Sequence, residues 1–166
     1  FEVADLLVEG RYHSDPDALL AIVNVTRGDP IFLFQPSEAK EQIERIGWIK
    51  TAFVQRRLPD TIYIRLEERK PAALWQDEQG NLVLIDIEGE VLTNSNLKEF
   101  KNLSMVRGKG AQKELSNFLA LLAAEPEVNE RLDYAVYIDE RRWDLYLKDG
   151  KRVKLPEKDV GLALRH

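Results

Sequence analysis

The chain contains no cysteine, two histidines and one methionine in 166 residues. Without cysteine there is neither a disulfide framework nor a thiolate metal site, and the redox compartment stays open. His13 sits in a turn and His166 at the end, so neither has a visible base or metal partner, and a surface place is expected for both. Ser14, Ser37, Ser95, Ser104 and Ser116 lack a Gly-x-Ser-x-Gly elbow, and read as caps, loops and helix surface. Gly28-Asp29-Pro30 and Gly108-Lys109-Gly110 lack the glycine spacing of a phosphate loop. Glu67-Glu68 and Asp139-Glu140 are paired carboxylates, but strand neighbours point to opposite faces and do not converge on a substrate. No apolar run reaches the roughly 20 residues a bilayer crossing needs, and Phe1 opens neither a basic n-region nor a cleavage site. A net charge of −5 argues against a general nucleic-acid binder. No cofactor is expected.

What is present is a globular composition, 44% hydrophobic, sufficient for one domain or two small ones. Residues 1–9 alternate as a first strand. Asp15-Pro16 offers an N-cap with proline at the first helical position, ahead of an apolar stripe at Ala18, Leu19, Ile22 and Val23. A second helix is predicted from Pro36, with Ala39, Ile43 and Ile46 on one face and Gly47 closing it in the left-handed conformation. Ala52 and Val54, then Ile62, Ile64 and Leu66, alternate with polar neighbours around a Pro59-Asp60 turn, the pattern of a hairpin with one buried face. The first domain, residues 1–70, therefore reads strand, helix, helix, strand, strand. Pro71 lacks a ladder donor and sets a border near Lys70.

In residues 71–166, strands are predicted at 72–76, 82–87 and 90–93 as a meander. A helix follows at 113–124, where Leu115, Phe118, Leu119 and Leu122 keep helical spacing. Strands at 132–138, 143–147 and 152–155 complete the domain, the last two joined through Asp149-Gly150.

Trp48-Ile49, the turn from Arg56 to Pro59, and Glu68-Arg69-Lys70-Pro71-Ala72-Ala73-Leu74-Trp75 together resemble the hairpin that closes the POTRA domain of the FtsQ/DivIB family of bacterial division proteins. Leu84-Ile85-Asp86-Ile87-Glu88-Gly89 and the Arg-Arg-Trp-x-Leu-x-Leu strand from Arg141 to Leu147 resemble that family's β domain. Leu58 stands where the family often has an aromatic residue. The resemblance implies an α+β fold: a β-α-α-β-β POTRA domain, then a mostly antiparallel β domain with flanking helices. It also implies that the β domain continues beyond this chain, which would stop inside a helix at residues 160–166. In function it implies a non-catalytic scaffold of the septum. Such a scaffold is the periplasmic part of a single-pass inner-membrane protein, held by an upstream anchor and binding the extracytoplasmic parts of FtsB and FtsL. A POTRA-bearing outer-membrane assembly or secretion factor is the alternative, and an acid-dependent hydrolase is the residual enzyme reading.

For partner contacts, the family's arginine beside this tryptophan points to Arg141 and Arg142, with Glu140 as the competing register. They belong to a basic group with Lys148, Lys151, Arg152 and Lys154. Arg56, Arg57, Arg65 and Arg69 read either as a carboxylate site or as a surface salt-bridged to Glu67 and Glu68. Trp48 and Ile49 read either as a latch between helix and hairpin or as a patch for a second partner. Trp143 shares parity with Leu145 and Leu147, which favours the core over an interface.

Overall fold

A computed structural model describes residues 1–155, and the helix expected at 160–166, like His166, lies outside the described residues. The chain divides into two compact units between Arg69 and Lys70.

The first unit begins with β1 (Asp5–Glu9), shorter than expected. Its leading residues are tied to a loop instead, Glu2 bridging Pro30 and the Val3 amide donating to Asp29 O. Gly10 ends the strand at a φ of +86°, and any Cβ there would strike the Leu66 carbonyl oxygen. Helix α1 (Pro16–Val23) starts where the proline predicts, its Asp15 carboxylate accepting the Asp17 amide at 2.9 Å. It ends on left-handed Asn24. A short 3-10 turn (Ile31–Leu33) leads into α2 (Pro36–Ile43). This helix ends three residues before Ile46, and Gly47 is not among the left-handed glycines; Ile43 and Ile46 O accept the Ile46 and Ile49 amides in a turn that needs no positive φ. Strands β2 (Ile49–Arg57) and β3 (Thr61–Glu68) form the hairpin, with a cis peptide at Leu58-Pro59.

The sheet order is β1-β3-β2, with β1 parallel and β2 antiparallel to the central β3. Ile62, Ile64 and Leu66 of β3 pack with Leu19 and Val23 of α1 and Ala39 and Ile43 of α2. The alternation thus turns one sheet face onto both helices.

The second unit is a seven-stranded sheet in the order β10-β9-β8-β7-β4-β5-β6. Strands β4 (Ala73–Gln76), β5 (Leu82–Ile85) and β6 (Val91–Thr93) form the expected meander. Strand β5 stops at Ile85 because the buried Asp86 begins a turn, its carboxylate accepting the Glu88 and Glu90 amides at 3.0 and 2.9 Å. That gives the Asp86-x-x-Gly89 motif a local cause. Strand β7 (Ser104–Arg107), in a stretch to which the sequence pattern assigns no element, lies parallel to both β4 and β8 (Leu132–Ile138). The sheet is therefore mixed at its centre and antiparallel on either side.

Helix α3 (Leu115–Ala124) buries Leu115, Phe118 and Leu122 against the sheet, and the short α4 (Pro126–Arg131) follows it. Strand β9 (Arg142–Leu147) places Trp143 in this core, stacked on Phe118 at 4.2 Å. Strand β10 (Arg152–Lys154) closes the described sheet, after a turn where left-handed Gly150 donates to Leu147 O.

Candidate functional site

The β8–β9 hairpin carries the two arginines on an unusual tip. Asp139 and Glu140 both adopt positive φ, 54° and 55°, conformations more often left to glycine or asparagine. Around them the Arg141 amide donates to Ile138 O, the Tyr137 hydroxyl donates to Glu140 O at 3.0 Å, and Lys109 Nζ lies 3.4 Å from a Glu140 carboxylate oxygen. Glu140 is thereby turned toward Lys109, and the exposed Arg141 follows at the apex. Arg142 stands opposite Ile138 at the start of β9, with Nε 3.7 Å from Asp144 Oδ1. Asp144 is nearly fully buried and that oxygen has no hydrogen-bond partner, so the pair is held by charge alone. A half-exposed guanidinium beside a buried carboxylate keeps its outer N–H groups free to donate to another carboxylate.

The other sequence candidates fall elsewhere. Ile49 is 1% exposed inside the core of the first unit, and Trp48 is buried with its ring stacked 4.6 Å from His13. Burial of both side chains suits the latch between helix and hairpin better than an exposed patch. Three of the hairpin arginines are laid on aromatic rings. Arg57 lies over the Tyr63 ring at 3.6 Å, Arg65 over Phe53 at 5.0 Å, and Arg56 over Phe32 while its Nε donates to Phe34 O. Glu67 accepts from the Thr51 hydroxyl.

His13 has the carboxylate partner that the sequence hides. Glu68, with a side chain 7% exposed, accepts the amides of Tyr12, His13 and Ser14 and the Ser14 hydroxyl, and lies 3.6 Å from His13 Nδ1. Burial raises the Glu68 pKa, but these hydrogen bonds lower it by more, and the carboxyl sits below its ordinary 4.5. The cluster fastens the loop after β1 to the end of β3. The strands that supply it are separated by more than fifty residues, so no local motif announces it. Among the described residues no group of three or more His, Asp or Glu is placed to hold a metal, and no helix is long and apolar enough to cross a membrane.

A strand-helix-helix-strand-strand unit followed by a mixed sheet with an arginine-tipped hairpin is the domain pair of a POTRA-bearing protein, and residues 1–69 match the POTRA domain, FtsQ-type. Residues 73–166 match the C-terminal domain of cell division protein FtsQ/DivIB. The chain belongs to the FtsQ/DivIB family. It is 36% identical to the cell division protein FtsQ of Rickettsia conorii over 166 residues, covering 100% of this chain and 61% of that relative. It is 38% identical to FtsQ of Bradyrhizobium diazoefficiens, covering 99% of this chain and 48% of that one. The chain thus spans less than two thirds of these relatives. The solved extracytoplasmic domain of the division protein DivIB from Geobacillus stearothermophilus matches at a TM-score of 0.43 and 20% identity, covering 60% of this chain and 88% of that one.

Proposed function

We propose that the chain is a non-catalytic scaffold of the division machinery, lying in the periplasm and joined to the inner membrane by a single upstream span. It binds the extracytoplasmic parts of FtsB- and FtsL-type proteins. The observation that carries this reading is the β8–β9 tip, where Arg141 and Arg142 project from a hairpin whose Glu140 is turned to Lys109 and whose Asp144 is buried beside Arg142. Two guanidinium groups so presented suit carboxylates on a partner. The partner's backbone would add at a sheet edge, where main-chain hydrogen bonds supply affinity and the arginines set register. The second unit does run strand, helix, helix, strand, strand from β7 to β9, but its leading strand pairs with the first strand of the hairpin, where in the first unit it pairs with the second; this different sheet order speaks against the tandem POTRA arrays of outer-membrane assembly factors.

Calorimetry with an FtsB extracytoplasmic segment and the whole extracytoplasmic protein tests this. Arg141→Glu is expected to weaken binding roughly tenfold or more, about 1.4 kcal/mol, with an unchanged melting temperature because its side chain is exposed, whereas Arg142→Glu also sets a second carboxylate beside the buried Asp144 and is expected to lower the melting temperature. Equal affinity would remove the assignment.

A further inference from the structure

The sheet of the second unit has two faces, and α3 covers one of them. The strand registers define the other. Tyr134 of β8 stands opposite Tyr146 of β9, which stands opposite Arg152 of β10. In the next row Arg107 of β7 is level with Val136, then Asp144, then Lys154. The core residues Val106, Ala135, Trp143 and Leu145 have the opposite parity.

The centre of this face is apolar and aromatic. Tyr134 and Tyr146 stack at 4.7 Å with their planes 10° apart, and both stay half-buried, as does Val136. Its two banks are basic. On one side the Arg107 guanidinium lies 4.0 Å above the Tyr134 ring, with Met105 Sδ near Nη2, and its buried Nε has no hydrogen-bond partner. No carboxylate among the described residues pairs with it. On the other side Arg152 and Lys154 stand exposed on one face of β10, about 7 Å apart by strand geometry. The acid on this face is Asp144, which is buried beside Arg142. In a chain of net charge −5, such a concentration of unpaired cations is a local inversion of sign.

Three strand spacings separate β7 from β10, about 14 Å, and an α-helix with side chains is about 10–12 Å across. We propose that this face is a docking surface for an amphipathic α-helix of a protein partner, its apolar stripe on Tyr134, Val136 and Tyr146. Acidic residues on either flank of that stripe meet Arg107 on one side and Arg152 and Lys154 on the other. Carboxylates one helical turn apart are spaced about 5–6 Å at Cβ, close to the Arg152 to Lys154 interval. Arg142 shares the parity of Asp144 and Tyr146 and adjoins this surface, whereas Arg141 lies before β9, so charge reversal at Arg141 alone leaves the surface in place.

The test uses the 166-residue chain and a labelled helical peptide of about 15 residues with a leucine stripe flanked by glutamates, next to a copy with lysines for glutamates. Fluorescence anisotropy is expected to show saturable, salt-sensitive binding of the acidic peptide alone, with amide shifts centred on Arg107, Val136 and Tyr146. Arg152→Glu with Lys154→Gln, at exposed sites and with no new charge opposite Asp144, is expected to weaken it about tenfold or more. Arg107→Gln is expected to do the same, and Arg107→Lys to recover part of the loss. Four results would overturn the proposal: shifts centred elsewhere, affinity indifferent to these substitutions, anionic vesicles bound with the same residue dependence, or contacts from residues 156–166 onto Tyr134 in the free chain.

Discussion

Glu68 shows how much one carboxylate can organise. Its four donors come from three consecutive residues of the loop after β1, so the first strand is closed onto the third by a single side chain. Because its pKa is lower in the folded chain than the ordinary 4.5, its stabilisation is full above that pH and is lost as pH falls through the folded value. Chemical denaturation followed by Trp48 fluorescence should therefore show the first unit weakening below about pH 4.5. In Glu68→Gln the amide nitrogen cannot accept, one or more donors lose their partner, and stability at pH 7 should fall by on the order of 2 kcal/mol with a flatter acid limb. Local residue signals were readable: Asp15-Pro16 starts α1, and Trp143 lies in the core that its parity with Leu145 required. The Glu68 cluster was not readable, since its donors and acceptor lie 54 to 56 positions apart.

At the scale of elements, β2 is an edge strand, and an edge needs protection against stray pairing. Helix α2 supplies it. Its Lys40 and Glu44, one turn apart and 2.8 Å from each other, reach over the strand, Lys40 Nζ donating to Ala52 O and Glu44 accepting the Ala52 amide. The Lys40 hydrogen bond and then the Ala52 amide lower the Glu44 pKa. Replacing Glu44 with Gln should raise the exchange rate of the Ala52 amide roughly tenfold, read by hydrogen exchange, with little change at buried Ile64. Elements with their own periodicity, α1, α3 and the first hairpin, were legible from sequence. Strand β7 was not: four residues, Ser104-Met105-Val106-Arg107, become a strand only because β4 and β8 flank them in parallel.

Across the whole molecule the two units keep separate cores, one around Ile62, Ile64 and Ile43, the other around Phe118, Trp143 and Leu145. Residues 1–70 expressed alone are expected to melt cooperatively and to keep the dispersed amide spectrum they show in the intact chain; a collapsed spectrum would mean that the second unit is needed for folding. The amino-acid sequence by itself determined the starts of α1 and α2, the hairpins, the parity of each long strand and the family, because these rest on neighbours a few positions apart. Tertiary structure alone decided the parallel centre of the seven-stranded sheet, the carboxylate that holds His13, the arginines laid on aromatic rings, and the basic-banked face across β7 to β10. Each of these joins residues far apart in the chain, and such pairings follow from which strands lie side by side, which no local pattern encodes.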